Sequence, residues 1–242
     1  MAALLFTWVS VGQARDELRI AAQGQITNRF NAAIGNLGSK TLDLRLGGIY
    51  ALQRIMQDSS RDHPAVVSVL SAFVRERASI PVHDTEQSET VPPTDIQAAM
   101  TVLANRSPER DGQAVVDLRG VDLRGLKQMS RENTSVYAAA DVIVSFPSAI
   151  MAEADLSRAD LRYAVFRDSD LRSASFRSAD LRLAAFSDAD LRGADLRGAN
   201  LIGVEFDGTD LRRADLRGAK HSGVDFEGTK TAGARGLPSS TH

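Results

Sequence analysis

The chain has 242 residues, of which 43% are hydrophobic and 25% are charged, and its formal net charge is −2. This length allows one or two domains with at least one sizeable core. The near-zero charge argues against direct nucleic-acid binding, which needs a basic face. The absence of cysteine excludes a disulfide framework, a thiolate metal site and a cysteine nucleophile, and it fits a cytoplasmic protein.

The first stretch of the chain, Met1 to Val11, is apolar but too short to cross a bilayer, which takes roughly 20 residues. It lacks the basic region and the cleavage site of a signal peptide. We expect it to begin a helix. The alternative is the remainder of a membrane anchor, or an interfacial segment with Trp8 at the lipid boundary. In that case residues 1–12 would hold the protein at the inner face of the membrane.

Residues 1–107 are predicted to form an α-helical domain. Apolar residues recur there at spacings of three and four, the pattern of amphipathic helices. A linker is expected near residues 79–93, which contain three prolines and no periodicity. Immediately after this linker, Thr94-Asp95-Ile96-Gln97 fits a capping box, so a further short helix should begin at this point.

From Ala154 to Gly228 the sequence consists of 15 consecutive five-residue units without a break in register. The third position is Leu or Phe in 14 units, with His221 as the exception; the first is Ala in 11, and the second and fourth are Asp and Arg in nine each. One bulky apolar residue in five fits neither a helix nor a strand. The pattern predicts a chain that turns a corner at every unit, with the first and third side chains inward and Asp and Arg outward.

A longer period is superimposed on the five-residue unit. Phenylalanine recurs at every twentieth position, and these five rings are predicted to form a stacked structural core column along one face: Phe146, Phe166, Phe186, Phe206 and Phe226. A period of twenty over a unit of five means four units per turn, hence a four-sided coil. Successive coils should lie about 4.8 Å apart, so four and a half coils make a rod roughly 22 Å tall.

These units match the motif A(D/N)LXX, and residues 144–233 resemble the pentapeptide-repeat family. The resemblance resumes more weakly at residues 116–125. It implies an α + β-solenoid: an α-helical region followed by a right-handed quadrilateral parallel β-helix, with the handedness taken from the resemblance. The run from Leu44 to Leu52 also resembles the N-terminal part of actinobacterial members, some of which carry transmembrane helices just upstream.

The region between the helices and the repeats does not keep the register. The interval from Leu123 to Phe146 is not a multiple of five. Residues 108–143 are therefore predicted to contain an irregular first coil and an insertion. Because loops carry function more often than scaffolds do, Arg131 and Tyr137 are candidate partner-binding residues; the alternative is that the insertion only joins the helices to the solenoid. Residues 234–242 are predicted to be a disordered tail.

The sequence offers no set of residues for catalysis. The aspartates recur on every face beside arginines with no cleft implied, so we interpret them as solvated charge pairs. The four histidines are scattered without metal-ligand spacing, and no phosphate-binding or dinucleotide-binding loop is present. We therefore predict a non-enzyme with no catalytic residue, no cofactor and no metal.

The function predicted from these features is that of an interaction or scaffold protein, which binds a protein partner through its solenoid surface. One alternative is a DNA-mimicking inhibitor or modulator of DNA gyrase, as the resemblance implies for a few family members. Residues 144–233 argue against it, since they carry 15 acidic and 13 basic side chains. A second alternative is a membrane-associated regulatory protein anchored through its N-terminal helix.

The C-terminal end of the solenoid carries a separate prediction. No amphipathic helix follows the last repeat, and an open end exposes unpaired backbone and core. We expect a homodimer or a partner contact at this end, around Phe226, which is the third candidate partner-binding residue.

Overall fold

The computed structural model describes residues 17, 21, 23–80, 91–127 and 145–238. The interpretations of residues 1–12 and of Arg131 and Tyr137 lie outside the described residues. In the described part, no helix combines the length and the hydrophobicity needed to cross a membrane. The chain divides into two compact units, residues 1–62 and residues 63–242.

The first unit contains helix α1, described over residues 23–37, and helix α2, Leu42–Asp58. A Cβ added at Gly48 of α2 would lie 2.7 Å from the carbonyl oxygen of Ala33 in α1, so only glycine permits this approach of the two helices. One side of α2 is buried, and Tyr50 on the other side is 55% exposed. The helix is therefore amphipathic and is not buried around its whole circumference.

The second unit begins with helices α3, His63–Arg77, and α4, Thr94–Ala104, which pack against each other. A short 3-10 helix, Pro108–Arg110, follows. Both helices belong to the same compact unit as the repeats. The boundary between the two compact units therefore lies after residue 62 and not at residue 107. Helices α3 and α4 group with the repeats because they bond directly to the first turns of the coil.

The predicted capping box at the start of α4 is wrong. The N-cap residue is Pro93, which has no side-chain capping bond, and in the first turn the Ile96 N–H donates to Asp95 Oδ1 at 3.1 Å. The Gln97 side chain instead bonds to the backbone of Lys127: its amide nitrogen donates to the carbonyl oxygen at 3.0 Å, and its oxygen accepts from the N–H at 3.2 Å. This contact joins two segments that are far apart in the chain, so a local sequence pattern carries no sign of it.

The repeats wind into a coil in which four five-residue units make one turn. Parallel bridges join residues one turn apart, from Ser145 with Val165 to Asp215 with Arg235. Each unit turns its corner through a backbone hydrogen bond such as that from Ala174 N–H to the Leu171 carbonyl, at 3.1 Å. The fifth residue of the unit has positive φ, for example 56° at Ser173. The prediction of a β-solenoid with four units per turn is confirmed.

Phenylalanine rings fill the interior along one side of the coil. The centroid distances between successive members of the column are 5.9, 5.1, 5.7 and 5.6 Å, and the planes lie within 20° of parallel. Phe176 packs edge-on against Phe166 and Phe186. Burial of each ring contributes about 1.5–3 kcal/mol, and a stacked pair adds about 0.5–1.5 kcal/mol. The rings are thus a large share of the core's stabilisation.

Residues 116–125 form part of a turn beneath the first full coil. Asp117 bridges Ile150, and Asp122 bridges Asp155, so the interval between bridged residues is longer here than in the later coils. Leu118 and Leu123 are fully buried, as the third positions of the later units are. The interval between bridged residues exceeds the 20 residues of one turn, so the inserted residues lie in the chain between these units and Ser145.

Helices α3 and α4 cover the N-terminal edge of the coil. After α3, Ser79 forms an antiparallel bridge with Val121, and the Ile80 N–H donates to the Gly120 carbonyl at 3.3 Å. After α4, the Ala104 carbonyl accepts from the Ser145 N–H at 3.1 Å. These bonds pair some of the backbone groups that would otherwise be open at this end.

Candidate interaction surface

The four sides of the coil are named face 1 to face 4 by the repeat units that form them. Face 1 consists of residues 145–148, 164–168, 184–188, 204–208 and 224–228. Face 2 consists of residues 149–153, 169–173, 189–193, 209–213 and 229–233. Face 3 consists of residues 154–158, 174–178, 194–198, 214–218 and 234–238. Face 4 consists of residues 159–163, 179–183, 199–203 and 219–223. This assignment follows from the bridges between residues one turn apart.

Aspartate and arginine form forked ion pairs within single units. In one of them, Arg172 donates from Nε to Asp170 Oδ1 at 2.7 Å and from Nη2 to Oδ2 at 2.6 Å. Arg172 Nε also lies 3.9 Å from Asp190 Oδ2 on the next coil. The same fork occurs at Arg119, Arg124, Arg162, Arg182, Arg192, Arg197, Arg212 and Arg217. The outward positions two and four therefore form a charge ladder that neutralises itself.

The arginines of the charge ladder lower the pKa of the carboxylates with which they pair. Hydrogen bonds from the paired arginines hold the pKa of Asp170, Asp180 and Asp210 below the usual value, against the opposing effect of burial. At Asp215 the bond from Arg217 lowers the pKa to about 2. The folded coil therefore favours the ionised carboxylates.

We expect the coil to lose stability in acid. Because the folded-state pKa values lie below the ordinary value of 3.8, the pairs contribute fully above about pH 4 and lose this contribution as the pH falls toward 2. The free energy of unfolding in urea, followed by far-UV circular dichroism from pH 7 to pH 2, measures this. Asp215→Asn should flatten part of the decline, and a constant free energy across the range would contradict the expectation.

A shallow groove of about 650 Å³ runs along face 2. The arginines of three successive coils, Arg172, Arg192 and Arg212, lie along it, together with Arg213. The first three are each bonded to an aspartate of their own unit. The groove is therefore polar and largely neutral, which is the character of a solvated surface.

Face 1 differs from the other faces because it has no forked Asp–Arg pair in the described structure. It carries one basic residue, Arg167, and six carboxylates: Asp168, Asp188, Glu205, Asp207, Asp225 and Glu227. Faces 2 to 4 together carry nine carboxylates and twelve basic residues within residues 144–233. The near-zero charge of the repeats thus conceals one acidic face and three that are slightly basic.

The last four of these carboxylates form what we call the acidic patch: Glu205, Asp207, Asp225 and Glu227. All four are exposed, and within the described part of the chain none of them forms a salt bridge. The backbone ladder is interrupted at the same place. Asn200 bridges Lys220 on one side and Asp210 bridges Lys230 on the other, but among the described residues no bridge joins Glu205 to Asp225. Like charges directly opposite one another destabilise such a pairing.

An apolar strip lies at the corner between face 4 and face 1. It consists of Tyr163, Leu183 and Ile202 from face 4, which are exposed, with the half-buried Val165 and the buried Ala185 from face 1. The first three are among the few large apolar side chains exposed on the coil, at 51%, 53% and 45%. Val165 bridges Ala185, and Ala185 bridges Glu205. The strip therefore leads directly into the acidic patch.

The C-terminal end of the coil tapers. His221 occupies an inward position, where its Nε2 lies 3.1 Å from the Gly236 carbonyl oxygen and its ring packs edge-on against Phe226. Thr231 and Gly236 stand where the earlier coils place leucine or phenylalanine. Phe226 is only partly buried, and among the described residues no helix covers it. A small amount of core is thus accessible at this end.

A buried polar cluster links α3 to the segment after α4. His63 Nε2 lies 2.9 Å from Asp111 Oδ1, and Arg106 Nε donates to Asp111 Oδ2 at 2.8 Å. Arg106 Nη1 donates to the carbonyl oxygens of Leu103 at 2.9 Å and Ser145 at 2.8 Å. His63 and Asp111 lie in distant parts of the chain, so no sequence pattern indicated this cluster. Its contacts are structural, since they tie the helices to the start of the first coil.

The described residues do not meet the requirements of a metal site. Across the ranges that the structure covers, no group of three His, Asp or Glu side chains is placed to hold a metal ion. The arrangement described above can bind through charge and apolar contact.

The acidic face and the apolar strip are both visible in the sequence when its positions are grouped by the period of 20 residues. Positions that differ by 20 share a face, so sorting positions by this period groups the carboxylates of face 1. The same sorting places Tyr163 next to Leu183. Net charge and the five-residue motif, which average over the faces, hide both features.

Comparison with known proteins supports the repeat assignment. A family model described as pentapeptide repeats, eight copies, matches residues 149–188 and 179–218. Among solved structures, a pentapeptide repeat protein (Rfr23) from the cyanobacterium Cyanothece 51142 is 26% identical, covering 49% of this chain and 82% of its own, with a TM-score of 0.39. A pentapeptide repeat protein (alr5209) from Nostoc PCC 7120 is 28% identical over 51% and 91%, with a TM-score of 0.29.

Another solved structure is QnrB1, a plasmid-mediated fluoroquinolone resistance protein. It is 22% identical, covering 48% of this chain and 62% of its own, with a TM-score of 0.22. No curated protein matches the chain. The prediction that the chain carries pentapeptide repeats is confirmed.

Proposed function

Because residues 149–218 of this chain belong to the pentapeptide-repeat family, we propose that it is a non-catalytic interaction protein that binds a protein partner through the outer surface of its coil. The proposal takes the coil to be right-handed, as the family resemblance implies. Helices α3 and α4 then serve to close the N-terminal edge of the coil.

The observation that carries this proposal is the unequal distribution of side chains over the faces. A coil that needed only solubility could carry the Asp–Arg ladder on every side, since its pairs are satisfied within each unit. Face 1 instead has exposed carboxylates without salt bridges in the described structure, beside an exposed apolar strip. Such departures from the repeat mark contact surfaces, because exposed apolar groups next to specific charges favour association.

Affinity capture from the native host tests the proposal. The full chain is immobilised, and the soluble and membrane fractions of the host are passed over it separately. We expect one or a few proteins to be retained at stoichiometric amounts and to be released by excess free chain. A matched coil with every face 1 carboxylate changed to its amide is the control. Retention of nothing above background in either fraction would overturn the proposal.

Inhibition or modulation of DNA gyrase by DNA mimicry is the alternative candidate. The excess of carboxylates on face 1 favours it, since imitation of phosphates needs negative potential. The slightly basic character of the other three faces weighs against it, as they would reduce that potential. A supercoiling assay decides: inhibition at micromolar protein would support the alternative, and its absence would remove it.

A membrane-associated regulatory role, anchored through residues 1–12, is the second alternative. Its support is the apolar composition of Met1 to Val11. Association with the membrane fraction that is lost on removal of residues 1–12 would support it, and a full chain found only in the soluble fraction would remove it.

We expect the C-terminal end of the coil to form a homodimer. The partly buried Phe226 and the absence of a covering helix in the described chain support this expectation. Light scattering after size-exclusion chromatography measures the mass, and Phe226→Ser should shift it toward the monomer. A strictly monomeric mass for the unaltered chain at all concentrations would contradict the expectation.

A further inference from the structure

We propose that the apolar strip and the acidic patch form one docking site for a short amphipathic helix that carries apolar side chains one turn apart, followed by lysine or arginine. This inference rests on the proposed interaction function and names the surface and the chemistry of its partner.

The backbone of the strip explains why its side chains are unusual. Tyr163 and Leu183 occupy the fifth position of their units with φ of 62° and 60°, in the left-handed region that large side chains rarely adopt. The next two units at this corner place Gly203 and Gly223 there instead. The fifth position of every unit has this conformation, including Glu153, Arg158 and Arg213. Tyr163 and Leu183 differ from those residues because they place large apolar side chains in solvent.

The strip is continuous from coil to coil. The Tyr163 N–H donates to the Arg182 carbonyl at 3.0 Å, and the Leu183 N–H donates to the Ile202 carbonyl at 3.1 Å, so these rows are direct neighbours. Leu183 leans over the corner at Gly203, where an added Cβ would lie 2.7 Å from its Cδ2. Three successive coils thus present one apolar surface to solvent.

The spacing of the coils selects the form of the partner. Coils about 4.8 Å apart come close to the roughly 5.4 Å pitch of an α-helix, so a helix parallel to the coil axis can set one side chain against each coil. An extended strand repeats its side chains on one face about every 6.8 Å, and this repeat differs more from the spacing of the coils than the helix pitch does. A helix is therefore the better match to an apolar strip of three coils.

The charge beyond the strip selects the partner's second feature. The acidic patch begins at Glu205, directly above Ala185 in the same column. It stacks Glu205 below Asp225 and Asp207 below Glu227, and within the described residues these four side chains form no salt bridge. Lys220 is the one lysine or arginine on face 4 at this height. Lysine or arginine on the partner, one to two turns beyond its apolar residues, would relieve the repulsion between the stacked carboxylates.

The test uses the full chain and a displayed library of short helical peptides with one randomised face. Selection against the unaltered chain should enrich peptides with apolar residues one turn apart and lysine or arginine toward one end. The double variant Tyr163→Gly, Leu183→Gly should weaken binding of the enriched peptides about tenfold or more. The pair Glu205→Gln, Asp207→Asn should also weaken it and reduce its dependence on salt.

Matched controls keep the result interpretable. The substitutions to glycine copy the residue already present at Gly203 and Gly223, so the double variant should retain the melting temperature of the unaltered chain. Ser173→Gly, Ser178→Gly makes the same change at the equivalent corners of faces 2 and 3 and should leave peptide binding unchanged.

The outcomes separate this inference from the proposed function. Enriched peptides that bind the Tyr163→Gly, Leu183→Gly variant as well as the unaltered chain would overturn the inference but leave an interaction function at another face. Enriched peptides without an excess of lysine and arginine would overturn the assignment of the partner. If no peptide is enriched, the docking site is refuted, and capture of a host protein then decides the proposed function independently.

Discussion

Phe186→Asp is expected to prevent the coil from folding. The Phe186 ring is fully buried and contacts the rings of Phe166, Phe206 and Phe176 at centroid distances of 5.1, 5.7 and 5.8 Å. Removal of such a ring costs about 3–5 kcal/mol, and a buried carboxylate without a partner adds several more. This sum is comparable with the whole stability of a typical domain, about 5–15 kcal/mol.

Thermal melting followed by far-UV circular dichroism measures the effect. Arg192→Ala is the matched control on a neighbouring unit; its side chain is 45% exposed, and its loss should leave the melting temperature almost unchanged. Phe186→Leu, which introduces the residue common at other third positions, should fold with a lower melting temperature. Equal melting shifts for Phe186→Asp and Arg192→Ala would refute the assignment of inward and outward positions.

Arg106→Ala should be the most destabilising change at the junction between the helices and the coil. The guanidinium is 1% exposed and donates to the Asp111 carboxylate and to the carbonyl oxygens of Leu103 and Ser145. Removing one partner of a buried ion pair leaves an uncompensated charge and costs about 3–5 kcal/mol. The Asp111 carboxylate would lose its bond from Arg106 and keep its contact with His63.

Urea unfolding of the full chain measures this second effect. The double variant Arg106→Met, Asp111→Leu removes both charges and should recover part of the loss, because apolar replacement of a buried pair is often tolerated. A single variant Arg106→Ala with the same unfolding midpoint as the unaltered chain would show that the cluster does not hold the junction.

The coil could be predicted from the sequence because each five-residue unit repeats the same pattern of side chains. A bulky residue at every fifth position specifies a corner per unit, and the recurrence of phenylalanine at every twentieth position specifies the number of sides. Errors in any one unit, such as His221, do not alter this pattern. The regular part of the fold was therefore accessible without coordinates.

Other features depend on contacts between distant residues and could not be predicted in this way. The local pattern around Gln97 fits a capping box, but the Gln97 side chain instead forms two hydrogen bonds with the Lys127 backbone. Arg106 is a charged residue in an ordinary turn, and its burial is explained by its contacts with Asp111 and with Ser145, where the chain returns. The difference between face 1 and the other faces is of an intermediate kind. It is not visible in the five-residue motif, but it appears when positions are grouped by the period of four units.

The distribution of charge also changes the interpretation of the net charge. A value of −2 for the chain suggests a surface without preference. Residues 144–233, with 13 basic and 15 acidic side chains, have the same net charge, and on a four-sided coil it separates into an acidic face and three faces of neutral ladders with a slight basic excess. Partners that approach along one side experience that side's charge, because screening at physiological salt limits the interaction to roughly 8 Å.

Amide hydrogen exchange resolved to single residues tests the central claim that the repeats wind into one four-sided coil. In unit 169–173 the N–H groups of the first, second, third and fifth residues donate to backbone carbonyls, while that of Arg172 donates to the Asp170 side chain. We predict strong protection across residues 164–203 with a weaker site at the fourth position of every unit, and rapid exchange at Asp225 and Phe226, whose N–H groups form no backbone hydrogen bond in the described structure. Exchange across residues 164–203 as rapid as at those two residues, or protection without a five-residue period, would contradict the coil.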